Sequence, residues 1–161
     1  MRFDIHPLLT GEKDRLVFGT EFGLAGLCGD IKNGVAKSSG DVASHGGYME
    51  LKADTVLEAN VICARCGEEF PWSYTFSTVR PVTKTLTDKD NGEYIFAEDS
   101  YIDLTAVFEG EVLLELPAKL LCEEECKGLC AVCGFNLNKG ICGCTEKVID
   151  PRLEALKAFL Q

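Results

Sequence analysis

The stretch that decides the fold is Met49–Ser77, MELKADTVLEANVICARCGEEFPWSYTFS. In its first half Met49, Leu51, Ala53, Leu57, Ala59 and Val61 alternate with Glu50, Lys52, Asp54, Glu58 and Asn60. A period of two sends successive side chains to opposite faces, so this half reads as a strand with one face buried. In the second half Phe70, Trp72, Tyr74 and Phe76 alternate with Ser73, Thr75 and Ser77, which reads as a second strand with an aromatic face. Cys63-Ala-Arg-Cys66-Gly67 lies between them. The pair is therefore a long β-hairpin with two cysteines near its tip. Leu51, Val61, Trp72 and Phe76 are expected to face a common core. Such an aromatic stripe can also stack nucleobases, although core packing is its commoner use.

Upstream, the opening MRFDI reads as a short strand stopped by Pro7. Residues 11–47 are rich in glycine and suggest short strands with turns, one near Asp30–Lys37 bounded by Asn33-Gly34 and Ser39-Gly40. Downstream, residues 84–99 read as a polar loop ending in a short strand at Tyr94–Ala97. Asp103 then caps a helix in which Leu104, Val107, Phe108 and Val112 share a face and which Pro117 ends. Gly110 inside it costs about 1 kcal/mol relative to alanine. The stretch 122–144 holds too much Cys and Gly for regular structure, whereas Asp150-Pro151 followed by Leu153, Leu156 and Leu160 reads as a short amphipathic helix. The expected class is α+β: an antiparallel β-rich core with a long hairpin, one or two short helices and a Cys-rich segment. Residues 1–120 form the core with hairpin and helix. Residues 121–161 form the Cys-rich segment and C-terminal helix, packed with the core as one unit.

Composition bounds the function. The chain has 161 residues, 46% apolar and 26% charged, as in ordinary globular proteins. No apolar run approaches the roughly 20 residues that span a bilayer. The N-terminus has no cationic stretch followed by an apolar run, so no secretory leader is read and the expected location is the cytoplasm. The net charge is −10, and within 98–125 nine acids stand against Lys119 alone. Such a chain repels phosphate backbones at long range, so broad non-specific nucleic-acid binding is disfavoured and a basic partner is easier to argue.

Nine cysteines are far more than a cytosolic chain of this size needs for packing. Eight are paired in sequence as Cys63/Cys66, Cys122/Cys126, Cys130/Cys133 and Cys142/Cys144, and Cys28 stands alone as a small apolar residue. In a reducing compartment, close pairs point to metal before disulfides. A tight Cys-x-x-Cys turn supplies two tetrahedral ligands, and a glycine just after it lets the backbone curl. Cys63-x-x-Cys66-Gly67 and Cys130-x-x-Cys133-Gly134 both have this form. One site is then Cys130, Cys133, Cys142 and Cys144. A second is Cys63, Cys66, Cys122 and Cys126. Structural zinc, one or two ions, is the leading reading; an iron–sulfur cluster and redox thiols or disulfides are the rivals.

Catalysis finds little footing. The two histidines, His6 and His45, belong to no metal or nucleophile motif, and there is no P-loop or nucleophile elbow. No enzyme and no small-molecule substrate are expected. A metal-dependent or redox enzyme acting on RNA, and a zinc-stapled adaptor unrelated to ribosomes, are the competing classes.

The motifs together resemble the YceD-like proteins. The likeness is carried by Cys63-Ala-Arg-Cys66 before an aromatic strand, Ile102-Asp103-Leu104 opening a helix that ends Leu116-Pro117, the run LCEEECKGLCAVCGFNLNKGICGC at 121–144, and Asp150-Pro151-Arg152-Leu153. It covers about the last two thirds of the chain well and the first third loosely. What the resemblance implies is a part in ribosome biogenesis, through accumulation of the large-subunit ribosomal RNA, with no established enzymatic activity. The implied partner is a large-subunit ribosomal protein or a pre-ribosomal particle, with a contact to ribosomal RNA and none to a membrane. Members of the family differ in these cysteines, which implies that metal stabilises this branch and that the shared function does not depend on it. On this reading the acidic 98–125 surface faces a basic protein, and Arg65, Arg80, Lys84 and Lys89 gather at one end of the hairpin nearest RNA.

Overall fold

The alternation at 49–61 is realised as one strand, β4 (Tyr48–Ile62), in which Met49, Leu51, Ala53, Leu57, Ala59 and Val61 are buried while Lys52, Asp54, Glu58 and Asn60 are exposed. The structure is a computed structural model that describes residues 1–85 and 92–144. β4 pairs antiparallel with β3 (Ile31–His45) on one side and β5 (Glu69–Thr83) on the other. β2 (Arg15–Gly23) adds beyond β3, and β6 (Ile95–Phe96) adds parallel to the end of β5, giving the order β2-β3-β4-β5-β6. A second, two-stranded sheet joins β1 (Arg2–Asp4) to β7 (Tyr101–Asp103). Two helices complete the described chain, α1 (His6–Leu9), which Pro7 helps to start, and α2 (Leu104–Glu115). The expected α+β class with an antiparallel core is therefore what the chain adopts.

Two expectations along the chain need correction. β3 is one strand of 15 residues, and both Asn33-Gly34 and Ser39-Gly40 lie inside it rather than in turns. The glycines serve close approach: a Cβ on Gly40 would stand 2.0 Å from the Lys52 carbonyl oxygen, and one on Gly34 would stand 2.6 Å from Ala59 Cβ. The turn is at Gly46-Gly47, with φ of +61° and +92°. Left-handed φ at both central residues is what a two-residue loop needs to match the twist of its flanking strands. Second, Pro7 does more than stop the opening strand, because it lies in the first turn of the short helix α1. The helix expected at Leu153–Leu160 lies outside the described residues, as does the centre of the 84–99 loop.

α2 is built as its sequence suggests. Asp103 accepts from the backbone N–H groups of Thr105 and Ala106 at 3.1 and 3.4 Å. The Met1 amino group at 2.9 Å is the larger influence on Asp103, and together these donors hold its carboxyl below the usual carboxylate range. Leu104, Phe108 and Val112 are buried on one face. They close the core over Ile5, Phe18, Val42, Leu51 and Ile102.

The apolar face of β4 is interrupted by Thr55, which is fully buried. Its hydroxyl is satisfied by Ser38 across the strand pair, Oγ to Oγ1 at 2.8 Å. Ser38→Ala would leave a buried hydroxyl without its partner and should cost about 1–3 kcal/mol. The double change Ser38→Ala with Thr55→Val should recover most of that loss. Urea unfolding of the three variants checks this, and a double variant no more stable than the single one would contradict it.

The aromatic stripe is only partly core. Leu51, Val61 and Phe76 are buried as expected, but Trp72 is half-buried and Tyr74 is exposed at its edge. Trp72 and Tyr74 stack with ring centroids 5.6 Å apart and 10° between planes. The reason is topological. Among the described residues β6 pairs β5 only at Val82 and Thr83, so the stretch of β5 that carries Trp72 and Tyr74 is a sheet edge whose side chains overhang the core.

Candidate metal centres

The Cys63-Ala-Arg-Cys66-Gly67 and Cys130-Ala-Val-Cys133-Gly134 turns fold alike. In each, the glycine N–H donates to the first cysteine's carbonyl at 2.9 Å. In each, the first cysteine's N–H reaches the carbonyl five residues on, Glu68 at 2.9 Å in one and Phe135 at 2.8 Å in the other. Gly67 and Gly134 both have φ of +73°, which explains the glycine at that position.

The long-range arrangement brings these turns to two other cysteine pairs. The sulfurs of Cys63, Cys66, Cys122 and Cys126 lie within 4.8 Å of one another, and so do those of Cys130, Cys133, Cys142 and Cys144. Cys63 to Cys126 and Cys66 to Cys122 are both 3.7 Å. A sulfur tetrahedron around zinc with bonds of ~2.3 Å has edges of about 3.8 Å, whereas a disulfide brings its sulfurs to about 2 Å. The donor set and spacing therefore fit a tetrahedral thiophilic ion. The first cluster is held by the chain from Leu120, whose carbonyl accepts from Ala64 N–H at 2.8 Å, and by Leu121 and Phe70 packed against it. Arg65 fastens the second pair of that cluster, donating to the carbonyls of Glu124 at 3.2 Å and Cys126 at 2.9 Å.

The thiols are polarised within each cluster. Burial opposes ionisation of Cys63, but backbone N–H groups of Cys122, Cys66 and Arg65 outweigh it and bring the thiol down to about 6. Backbone N–H groups of Cys133 and Val132 likewise bring Cys130 down to about 6. Burial and the neighbouring sulfurs of Cys126 and Cys63 push Cys122 up to about 12. Cys144 is pushed up to about 12, chiefly by Cys133 and then by burial. One sulfur ionises readily in each cluster while crowded like charge resists the last. A divalent cation offsets that repulsion and allows four thiolates to coexist.

Of the other residues singled out by sequence, Cys28 is half-buried against the main core and joins neither cluster. His6 and His45 are exposed, on α1 and beside the β3–β4 turn. Asp41 and Glu50, near His45, are paired with Arg15 and Lys52 at 2.5 Å. The gathering of basic residues does not occur. Arg80 lies opposite Leu51, eleven register steps from the Ile62–Glu69 pair at the tip, and its Nε is 3.0 Å from Glu111. Lys84 lies beyond the far end of β5, and Lys89 is outside the described residues. The acids of 98–125 likewise form no single surface. Asp103 caps α2, Glu111 holds Arg80, Glu98 follows β6 at the Thr83 end, and Glu123–Glu125 lie at the hairpin tip. The cause is the length of β5, which separates residues that are near in sequence.

The YceD family model, described as large ribosomal RNA subunit accumulation protein, matches residues 51–160, a span that begins in β4 and includes all eight clustered cysteines. The chain belongs to that family. It is 30% identical over 101 residues to an uncharacterised protein, YlbN, of Bacillus subtilis, a stretch covering 62% of this chain and 59% of the relative. It is 42% identical over 49 residues to the chloroplastic large ribosomal RNA subunit accumulation protein YCED homolog 1 of Arabidopsis thaliana, covering 30% of this chain and 15% of the relative. The chain thus spans less than two thirds of the length of either curated relative. No solved structure matches it. Among the described residues no helix is long and apolar enough to cross a membrane.

Sequence reasoning singled out all eight clustered cysteines but missed two supporting side chains. Arg65 sits at a variable position of Cys-x-x-Cys. Asn138 reaches Cys126 Sγ at 3.2 Å from within the second cluster's loop. Asn136-x-Asn138 signals a turn locally, and nothing local signals the sulfur that Asn138 touches.

Proposed function

We propose that this chain is a non-catalytic cytoplasmic ribosome biogenesis factor. It supports accumulation of the large-subunit ribosomal RNA by docking a ribosomal protein or precursor particle, and two structural zinc ions hold its docking end. Membership of the YceD family carries this reading. The donor sets support the structural role: each cluster offers four cysteine ligands, which fill a tetrahedral zinc and leave no open position for a substrate or water.

The surface at the hairpin tip supports a protein partner over bare RNA. Glu123, Glu124 and Glu125 are exposed there, and the second cluster is ringed by exposed Leu129, Val132, Phe135 and Ile141. A zinc held by four thiolates adds a net −2 at each centre, so the loaded molecule carries about −14 if free thiols count as neutral. An acidic rim beside apolar anchors suits a basic protein segment. Replacing Glu123, Glu124 and Glu125 by Lys should weaken co-sedimentation with pre-ribosomal particles roughly tenfold at low salt, with the difference shrinking as salt rises. Unchanged association, or a loss insensitive to salt, would remove the electrostatic part of this model.

A further inference from the structure

The second cluster's loop does more than close its own centre. Between Cys133 and Cys142 it carries Asn138, whose Oδ1 accepts from Lys127 N–H at 2.7 Å and whose Nδ2 donates to Cys126 Sγ at 3.2 Å. Cys126 is a buried ligand of the first cluster. The rest of the loop is fastened to the same place. Leu137 N–H donates to Gly128 O at 2.9 Å, Leu129 and Asn136 form an isolated bridge, and Lys139 pairs with Glu68 beside the first Cys-x-x-Cys turn. Asn138 is itself oriented by Asn136, whose Oδ1 accepts its N–H at 2.9 Å. From the other side Gly128 packs so closely on Arg65 that a Cβ there would stand 3.1 Å from the Arg65 carbonyl oxygen.

We propose that Asn138 is a positioning residue that couples the two metal centres, so that loading one raises the affinity of the other. This rests on the reading that both clusters hold metal. Closure of the second cluster draws Cys130–Cys133 and Cys142–Cys144 together and sets the intervening loop. The set loop presents the amide of Asn138 to Cys126. A hydrogen bond to a thiolate is charge-assisted, so it is strongest when the first centre is loaded. Coupling between binding equilibria is reciprocal, so each centre then assists the other. Electrostatics alone predicts the opposite sign, because two centres of net −2 repel. Positive coupling is therefore diagnostic of the mechanical link.

The test uses the full metal-free chain under reducing conditions, titrated with Co²⁺ against a competing chelator and followed by the visible absorption of cobalt tetrathiolate. Wild type should take up two ions in one concerted rise. Asn138→Ala removes no ligand and should leave a tetrathiolate spectrum at both centres, but weaken the first about 10- to 100-fold, as loss of an outer hydrogen bond to a ligand does. Cys142→Ala with Cys144→Ala disables the second centre without touching Asn138 and should weaken the first to a similar degree. Adding Asn138→Ala to that background should change little further. If the first centre's affinity stays within about twofold of wild type in either Asn138→Ala or the double cysteine variant, the coupling is wrong even though both centres bind. If the wild-type chain shows no cobalt tetrathiolate, the metal reading fails and the coupling fails with it.

Discussion

Removing metal from the folded chain should release residues 120–144 from the hairpin tip while the main sheet stands. The first cluster joins Cys63 and Cys66 of the hairpin to Cys122 and Cys126, more than fifty residues away in sequence. Apart from the sulfurs, among the described residues only Phe70 and Leu121 pack there, too little apolar surface to hold the segment. The second cluster has even less cover, since Cys133 and Cys144 are exposed. Structural zinc contributes an apparent ~10–16 kcal/mol in small metal-dependent folds, comparable to the whole stability of an ordinary domain. The β2–β5 core shares almost no side chains with the clusters. Amide hydrogen exchange with and without chelator should therefore show lost protection at Cys130, Gly134 and Leu137 and retained protection along β3 and β4. Elemental analysis should find two zinc ions per chain. Cys130→Ser should loosen 122–144 more than the hairpin. No zinc, or iron with visible absorbance, would sink the assignment, and equal loss of order in both regions would argue that the cysteines pair differently.

Phe108→Ala should be among the most damaging single changes in the core, at about 3–5 kcal/mol. Phe108 is fully buried on α2, with its ring 5.8 Å from that of Phe18, which in turn meets Phe3 at 5.5 Å. Truncation removes the contact that seats α2 on β2 and leaves a cavity that Leu104 and Val112, fixed on the same helix, cannot fill. Trp72→Ala should cost less, about 1–2 kcal/mol, because that side chain is only partly buried at the sheet edge. Urea midpoints compared at constant slope measure both. If Trp72→Ala proves as costly as Phe108→Ala, the stripe on β5 is core after all. Ready quenching of Trp72 fluorescence would support its exposed edge position.

How much of this was legible depends on the range of the interaction. The alternation at 49–61, the Asp103 cap and the glycine after each Cys-x-x-Cys are local signals, and each was realised where its residues stand. Gly34 and Gly40 misled because a glycine that admits a neighbouring backbone looks, in one dimension, like a glycine that turns. Arg80 and Arg65 seemed close because a sequence does not display the full length of β5. Trp72 seemed buried because period two assigns a face but does not say whether another strand covers it. The cysteine spacings suggested the grouping into two sets of four, and the chain's return past Ala64 placed those sets in space.

The sequence by itself determined the two strands of the 49–77 hairpin and the helix that Asp103 caps, which face of β4 is apolar, and that eight cysteines come in close pairs. Backbone geometry and side-chain periodicity act over a few residues, so those properties are written where they occur. Only the tertiary structure decided that β3 runs unbroken through its glycines, that Trp72 overhangs an edge, that Glu111 neutralises Arg80, and that Asn138 of one cluster reaches the sulfur of the other. Each of those depends on which distant surfaces meet, and that is set by the register of long strands and the closing of two sulfur clusters rather than by any neighbouring residue.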